Sequence, residues 1–138
     1  MALRAAYLAD KSALARLGLE VVARHLVPLL EEGLVATCAI IDLEVLYSAR
    51  SGRDYEAILA ERCGFEDVPI TPDVMRAAVH TQRRLARRGQ HRVPIPDLII
   101  AAVAASASLT LLHYDADFEQ IAAVTGQRHQ WVAPRGSL

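Results

Sequence analysis

The chain has 138 residues, 53% of them apolar, a formal net charge of -1 and two cysteines. That length suits one domain, residues 1–138, able to build a core without disulfide or metal staples, and the near-neutral balance excludes a generic polyanion-binding tail. Cys38 and Cys63 lack CxxC spacing, and the early Asp10-Lys11 pair interrupts any secretory leader, so a reduced, cytoplasmic protein is expected.

Residues 5–9 form a short apolar run that reads as a buried strand, with Asp10 at its C-terminal end and Ser12 placed to cap a helix through Leu17. The spacing of Val21, Val22, Leu26, Leu29 and Leu30 predicts a helix over 20–32, weakened at Pro28 and stopped by Gly33. A second buried strand is predicted over 34–37, then a helix over 39–48 with Ile40, Leu43, Val45, Leu46 and Tyr47 mostly inward. Glu44 shares a face with Ile40, Ile41 and Tyr47, and no basic residue stands one turn away. An unpartnered charge is costly in such a setting, which favours a functional reading. Asp42 points elsewhere and is expected in solvent.

Residues 51–54 carry turn chemistry, followed by a predicted short helix over 55–62 and a third short strand over 65–69. Thr71 is a suitable N-cap and Pro72 a suitable first residue for a long helix to Arg88, with Met75, Ala78, Val79 and Leu85 as its apolar face and Gly89 as its stop. Pro96 then starts a helix carrying Asp97. The uncharged run over 98–114 falls short of the roughly 20 apolar residues of a membrane span and contains Ser106, Ser108, Thr110 and His113. It divides better into the body of that helix and a fourth strand over 109–114. A helix over 115–125 follows, and Trp131 and Val132 suggest an edge strand. This alternation implies an α/β fold: a mostly parallel sheet covered by helices on both faces, with ligands beyond the carboxyl ends of the strands.

Each acid has a plain alternative. Asp97 suits a helix N-terminus, where a negative charge contributes about 0.3–1 kcal/mol. Asp117 with Gln120 resembles a capping box, and Asp10 can cap the turn that follows it. If Asp10, Glu44, Asp97 and Asp115 converge, however, each pair about 4–5 Å apart repels by a few kcal/mol at an effective dielectric near 20. Several such pairs rival the whole stability of a domain, about 5–15 kcal/mol, so protons or a metal must offset them. An all-oxygen set selects magnesium or manganese over zinc, and the five histidines show no paired ligand spacing. His113 reads as a strand residue at the rim. Ser12 is equally a plain cap or part of the site. Arg83, Arg84, Arg87, Arg88 and Arg92 crowd one helix end, either offsetting its dipole or forming a phosphate-binding rim.

Taken in order, Asp10-Lys11-Ser12 after the first strand, Glu44 in the early helix, Pro96-Asp97 opening a helix, and Leu-His-Tyr-Asp115-Ala-Asp117-Phe118 near the end resemble the PIN-domain ribonucleases, specifically the VapC toxins of bacterial toxin–antitoxin pairs. The resemblance covers nearly the whole chain. It implies a PIN-like α/β/α domain with an acidic quartet at Asp10, Glu44, Asp97 and Asp115, a fifth acid at Asp117 and a supporting hydroxyl at Ser12. It also implies Mg2+-dependent endonucleolytic cleavage of RNA, with Mn2+ able to substitute, a homodimer, and inhibition by a VapB-type antitoxin. Lys11 departs from the small or hydroxyl residue common there and can reach a phosphate or the quartet. Two other readings compete. A degenerate PIN-like domain would act only through protein partners. A receiver-type magnesium-binding domain would want a lysine late in the chain, and Lys11 is the only lysine.

Overall fold

Short apolar strands separated by helical segments favour parallel pairing with helical crossovers, because each return to the same sheet edge needs a dozen or more residues. The computed structural model describes residues 2–138. Its elements in chain order are β1 (Tyr7–Ala9), α1 (Lys11–Leu14), α2 (Glu20–Glu31), β2 (Val35–Thr37), α3 (Ala39–Tyr47), α4 (Gly52–Arg62), β3 (Glu66–Asp67), α5 (Pro72–Ala86), α6 (Ile95–Ser106), β4 (Thr110–His113), α7 (Ala116–Thr125) and β5 (His129–Trp131). All pairings are parallel, in the order β3-β2-β1-β4-β5. β1 is central, with Leu8 opposite Ala36 on one side and Leu111 on the other.

Side chains alternate across the sheet and so divide the core in two. Leu8, Ala36 and Leu111 pack with Val74, Ala78 and Leu85 of α5, the α6 body, and Phe118 and Ile121 of α7. Ala9, Val35 and Leu112 face Ala13 of α1, Val22 and Leu26 of α2, and Val132. Helices therefore cover both faces, which is the α/β/α arrangement the sequence predicts. α6 is buried from Asp97 through Ala104, and each large apolar side chain withdrawn from water contributes about 1.5–3 kcal/mol. Among the described residues, no helix is long and apolar enough to cross a membrane.

Several boundaries move for local reasons. Asp10, not Ser12, caps α1, which ends at Leu14 rather than Leu17. The Ser51 hydroxyl accepts the Asp54 N–H at 3.0 Å, so α4 begins within the stretch that reads as a turn. Thr71 caps α5 as expected, accepting the Val74 N–H at 3.2 Å. Gly33, at φ +70°, turns the chain after α2 in a conformation side chains disfavour.

Two apolar faces differ from expectation. On α3, Ile41 and Leu46 are buried but Leu43 and Tyr47 are exposed. Asp42 is not simply solvated: its Oδ1 accepts from Arg62 Nε at 2.9 Å and from the Thr37 hydroxyl at 2.7 Å, while Arg62 Nη2 donates to Thr37 Oγ1 at 2.6 Å. Turning Asp42 toward β2 rotates Leu43 and Tyr47 outward. On α5, Val74 takes the inward place, leaving Met75 and Val79 exposed.

Strand order reverses between β1 and β4, since the chain proceeds from β1 to β2 and β3 on one side and later to β4 and β5 on the other. The carboxyl ends at such a switch point splay apart and leave a crevice. Asp10 leaves β1 there, and Asp115 follows β4.

Candidate metal centre

Five carboxylates approach this crevice from four helices. Asp10 is buried as the N-cap of α1, where its Oδ2 accepts the Ser12 N–H at 2.9 Å. Ser12 then turns its hydroxyl to the other strand and accepts the Tyr114 N–H at 2.9 Å, tying α1 to the end of β4. Its role as the predicted cap is thus replaced by a cross-sheet tie. Asp97 lies in the first turn of α6 and is buried, and the cap position of that helix is Pro94, with no side-chain cap bond.

Asp115 caps α7, with Oδ1 accepting the Asp117 N–H at 2.9 Å. The capping role expected of Asp117 therefore belongs to Asp115. Asp117 instead projects from the first turn, and donor oxygens of Asp97, Asp115 and Asp117 all lie within 4.8 Å of one another. Among the described residues, this is the group of carboxylates, histidines and thiols close enough to hold a metal ion. Glu44 adds a buried Oε1 with no hydrogen-bond partner.

The electrostatics follow from crowding. Burial, then the charges of Asp10, Asp115, Asp117 and Glu44, push the Asp97 carboxyl up to about 8. Burial also raises Asp10, against hydrogen bonds from Ser12 and Lys11 that favour its charge. Glu44 is raised by burial and by Asp10, with Lys11 opposing, and Asp117 by burial and Asp115. A cation placed here would relieve every one of these repulsions. The all-carboxylate donor set suits a hard divalent ion, and the orphaned Glu44 oxygen leaves a lone pair for it or for its water shell. Asp97, Asp115 and Asp117 are the residues that could hold it, with Asp10 and Glu44 bordering.

His113 is fully buried rather than at the rim. Its Nδ1 accepts the Asp115 N–H at 3.1 Å, so the ring proton sits on Nε2 and is shared with His129 Nδ1 at 2.9 Å. Burial, then His129, lowers its pKa to about 4, which keeps the ring neutral and Nδ1 free to accept. Sequence reading missed this support; its only signal was a histidine two residues before an acid at a strand end. Arg83, Arg84, Arg87, Arg88 and Arg92 are exposed at the end of α5 and in the loop after it, and none is ion-paired among the described residues. Arg88 lines a cleft with Gln90 and with Glu119 and Gln120 of α7, the helix whose N-terminus carries Asp115 and Asp117. The larger clefts lie away from this edge of the sheet. One, of about 650 Å3, is lined by Arg4, Gly33 and Glu66 at the opposite ends of the strands.

The family profile described as PIN domain matches residues 7–124. Ribonuclease VapC51 of Mycobacterium tuberculosis is 45% identical over 96% of this chain and 96% of its own. Among solved structures, VapBC-5 of Mycobacterium tuberculosis, a member of the VapBC family of toxin-antitoxin systems, superposes with a TM-score of 0.61 at 28% identity, covering 94% of this chain and 98% of that one. VapBC2 of Rickettsia felis, solved bound to a DNA fragment from its promoter, reaches a TM-score of 0.74 over 91% of this chain and 97% of that one; at 15% identity it speaks to the fold alone.

Proposed function

The chain belongs to the PIN-domain family, within its VapC branch, and on that premise we propose that it is a Mg2+-dependent endoribonuclease toxin neutralised by a cognate VapB-type antitoxin. The observation that carries this reading is the buried Asp97, held within 4.8 Å of Asp115 and Asp117 where the sheet reverses its strand order. Capping of α7 accounts for Asp115 but for neither Asp97 nor Asp117.

Asp97, Asp115 and Asp117 would hold the ion, with Asp10 and Glu44 as further ligands, direct or through water. Mn2+ is expected to substitute, having the same preference for oxygen. Such an ion would supply Lewis acidity toward a phosphodiester and would lower the pKa of water enough to provide a nucleophile at neutral pH. The chain's own groups do the positioning. Asp10 and Asp115 are fixed by their cap bonds, Ser12 holds the backbone after β4, and His113 holds the Asp115 N–H. Lys11, set against Glu44, offers an ammonium to a substrate phosphate. The exposed arginines of α5 and its following loop offer phosphate contacts that give affinity rather than sequence choice.

The single domain over residues 1–138 would act in the cytoplasm, where its RNA substrate is made. Exposed Met75, Val79 and Ile95 border an apolar groove floored by Leu98 and Ile99, which supports pairing of two copies through α5 and α6. An antitoxin arginine entering the acid crevice would pair with these carboxylates in place of the metal.

The test is cleavage of structured RNA by purified protein with Mg2+, with Mn2+ and with chelator. Activity should need the ion and disappear in Asp97→Asn. Undiminished cleavage by that variant, in preparations proven free of other nucleases, would sink the assignment. Mg2+ binding with no cleavage of any RNA would support the non-catalytic, partner-binding alternative instead.

A further inference from the structure

Leu43 and Tyr47 are 60% and 88% exposed, so the fold gains little from either side chain. They stand one turn apart on α3 and line a cleft of about 370 Å3 with Lys11 and Glu44. Lys11 directly follows Asp10, the cap of α1, and Glu44 turns a buried, unpartnered Oε1 inward, so the cleft they line opens beside the candidate metal centre. Arg50 and Arg53 are exposed in the segment that follows Tyr47.

Charge decides what can occupy this cleft. Lys11, the only lysine of the protein, is the cation lining the cleft, and it stands beside the Glu44 carboxyl. Phosphate contacts alone therefore cannot grip a strand here. A nucleobase is neutral and presents a π-face, and stacking on an aromatic ring is tolerant of sequence. A peptide suits the cleft less well, because helix-in-groove docking needs a continuous row of apolar anchors and this wall has two beside an acid.

We propose that Leu43 and Tyr47 form a stacking subsite that holds one base of single-stranded RNA next to the candidate metal centre, with Lys11 on the adjoining phosphate. The subsite rests on the nuclease reading, whose substrate it makes specific: the cut strand is single-stranded at this nucleotide, and purines, with the larger face, stack best.

The experiment measures affinity for a short labelled oligoribonucleotide by fluorescence anisotropy in the Asp97→Asn background, which separates binding from turnover. Tyr47→Ala should weaken binding about five- to one-hundred-fold, and Tyr47→Phe should restore it. A strand made abasic at the nucleotides flanking the scissile phosphate should show no Tyr47 dependence. Because Tyr47 is so exposed, neither substitution threatens folding. Equal affinity with and without the ring overturns the subsite, as does an equal loss on the abasic strand or failure of the RNA to bind at all. Unchanged RNA affinity with weakened binding of an arginine-bearing peptide would overturn it in favour of a protein partner. Wild-type protein that binds RNA in a Tyr47-dependent way but cleaves none with Mg2+ or Mn2+ overturns the nuclease reading and leaves the subsite standing.

Discussion

Replacing Asp97 with asparagine removes the most crowded acid of the crevice while keeping its shape, and the metal-free protein should become more stable near neutral pH. The Asp97 carboxyl is raised from 3.8 to about 8 in the folded chain. Between those values the folded state holds a proton that the unfolded chain has released, so stability is greatest at low pH and falls as pH rises, by about 1.4 kcal/mol per pH unit. At pH 7 the accumulated loss is about 4 kcal/mol, a large part of a typical domain's stability of about 5–15 kcal/mol. His113 works in the opposite sense. Lowered from 6.5 to about 4, it makes stability rise with pH across that window, because there the unfolded chain binds the extra proton. The difference between wild type and Asp97→Asn cancels the His113 contribution. Urea unfolding with chelator should show the two proteins close near pH 4 and the variant ahead by a few kcal/mol near pH 7. Saturating Mg2+ should reverse the order, since a ligand bound only by the native state adds stability that grows with the logarithm of its concentration over its dissociation constant. Parallel pH curves without metal, or a variant less stable at pH 7, would refute the crowding argument.

Arg62→Ala leaves Asp42 and Thr37 without their shared partner. It should cost about 3–5 kcal/mol in urea unfolding, and it should weaken Mg2+ binding measured by calorimetry because α3 carries Glu44. Asp115→Ala should lose both the α7 cap, about 1 kcal/mol, and RNA cleavage, whereas Asp117→Asn should lose cleavage with little change in the unfolding midpoint. Ser12→Ala removes the acceptor of the Tyr114 N–H and should cost about 1 kcal/mol with a measurable fall in kcat. Val79→Glu should shift a dimer to monomer in light scattering; an unchanged mass would place the contact elsewhere.

Much of the fold can be read in the chain because the signals are local. Thr71-Pro72 starts a helix wherever it occurs in such a context, since the hydroxyl and the fixed φ act on the adjacent turn. Uncharged runs of strand length beside helical repeats lead to a parallel sheet covered on both faces, and that in turn puts Asp10 and Asp115 at the functional edge. The misreadings share another origin. Leu43 and Tyr47 have the spacing of a core face, yet they are exposed because Asp42 is drawn inward by Arg62, 20 residues away. Met75 and Val79 are likewise apolar and outward, and periodicity alone does not choose which of two apolar stripes meets the sheet.

At the candidate metal centre the sequence determined the order of the acids and their places at element ends, since strand and helix termini follow from neighbouring residues. Tertiary structure decided which acids meet. Asp115 and Asp117 sit two apart, and only the cap geometry of α7 assigns one to the backbone bond and turns the other toward Asp97. The tie from Ser12 to Tyr114 spans 102 residues, and no local preference specifies it. Rotation of a helix about its axis and the approach of two strand ends depend on contacts between distant segments. Propensity reaches about one turn along the chain, while the crevice is assembled across nearly all of it.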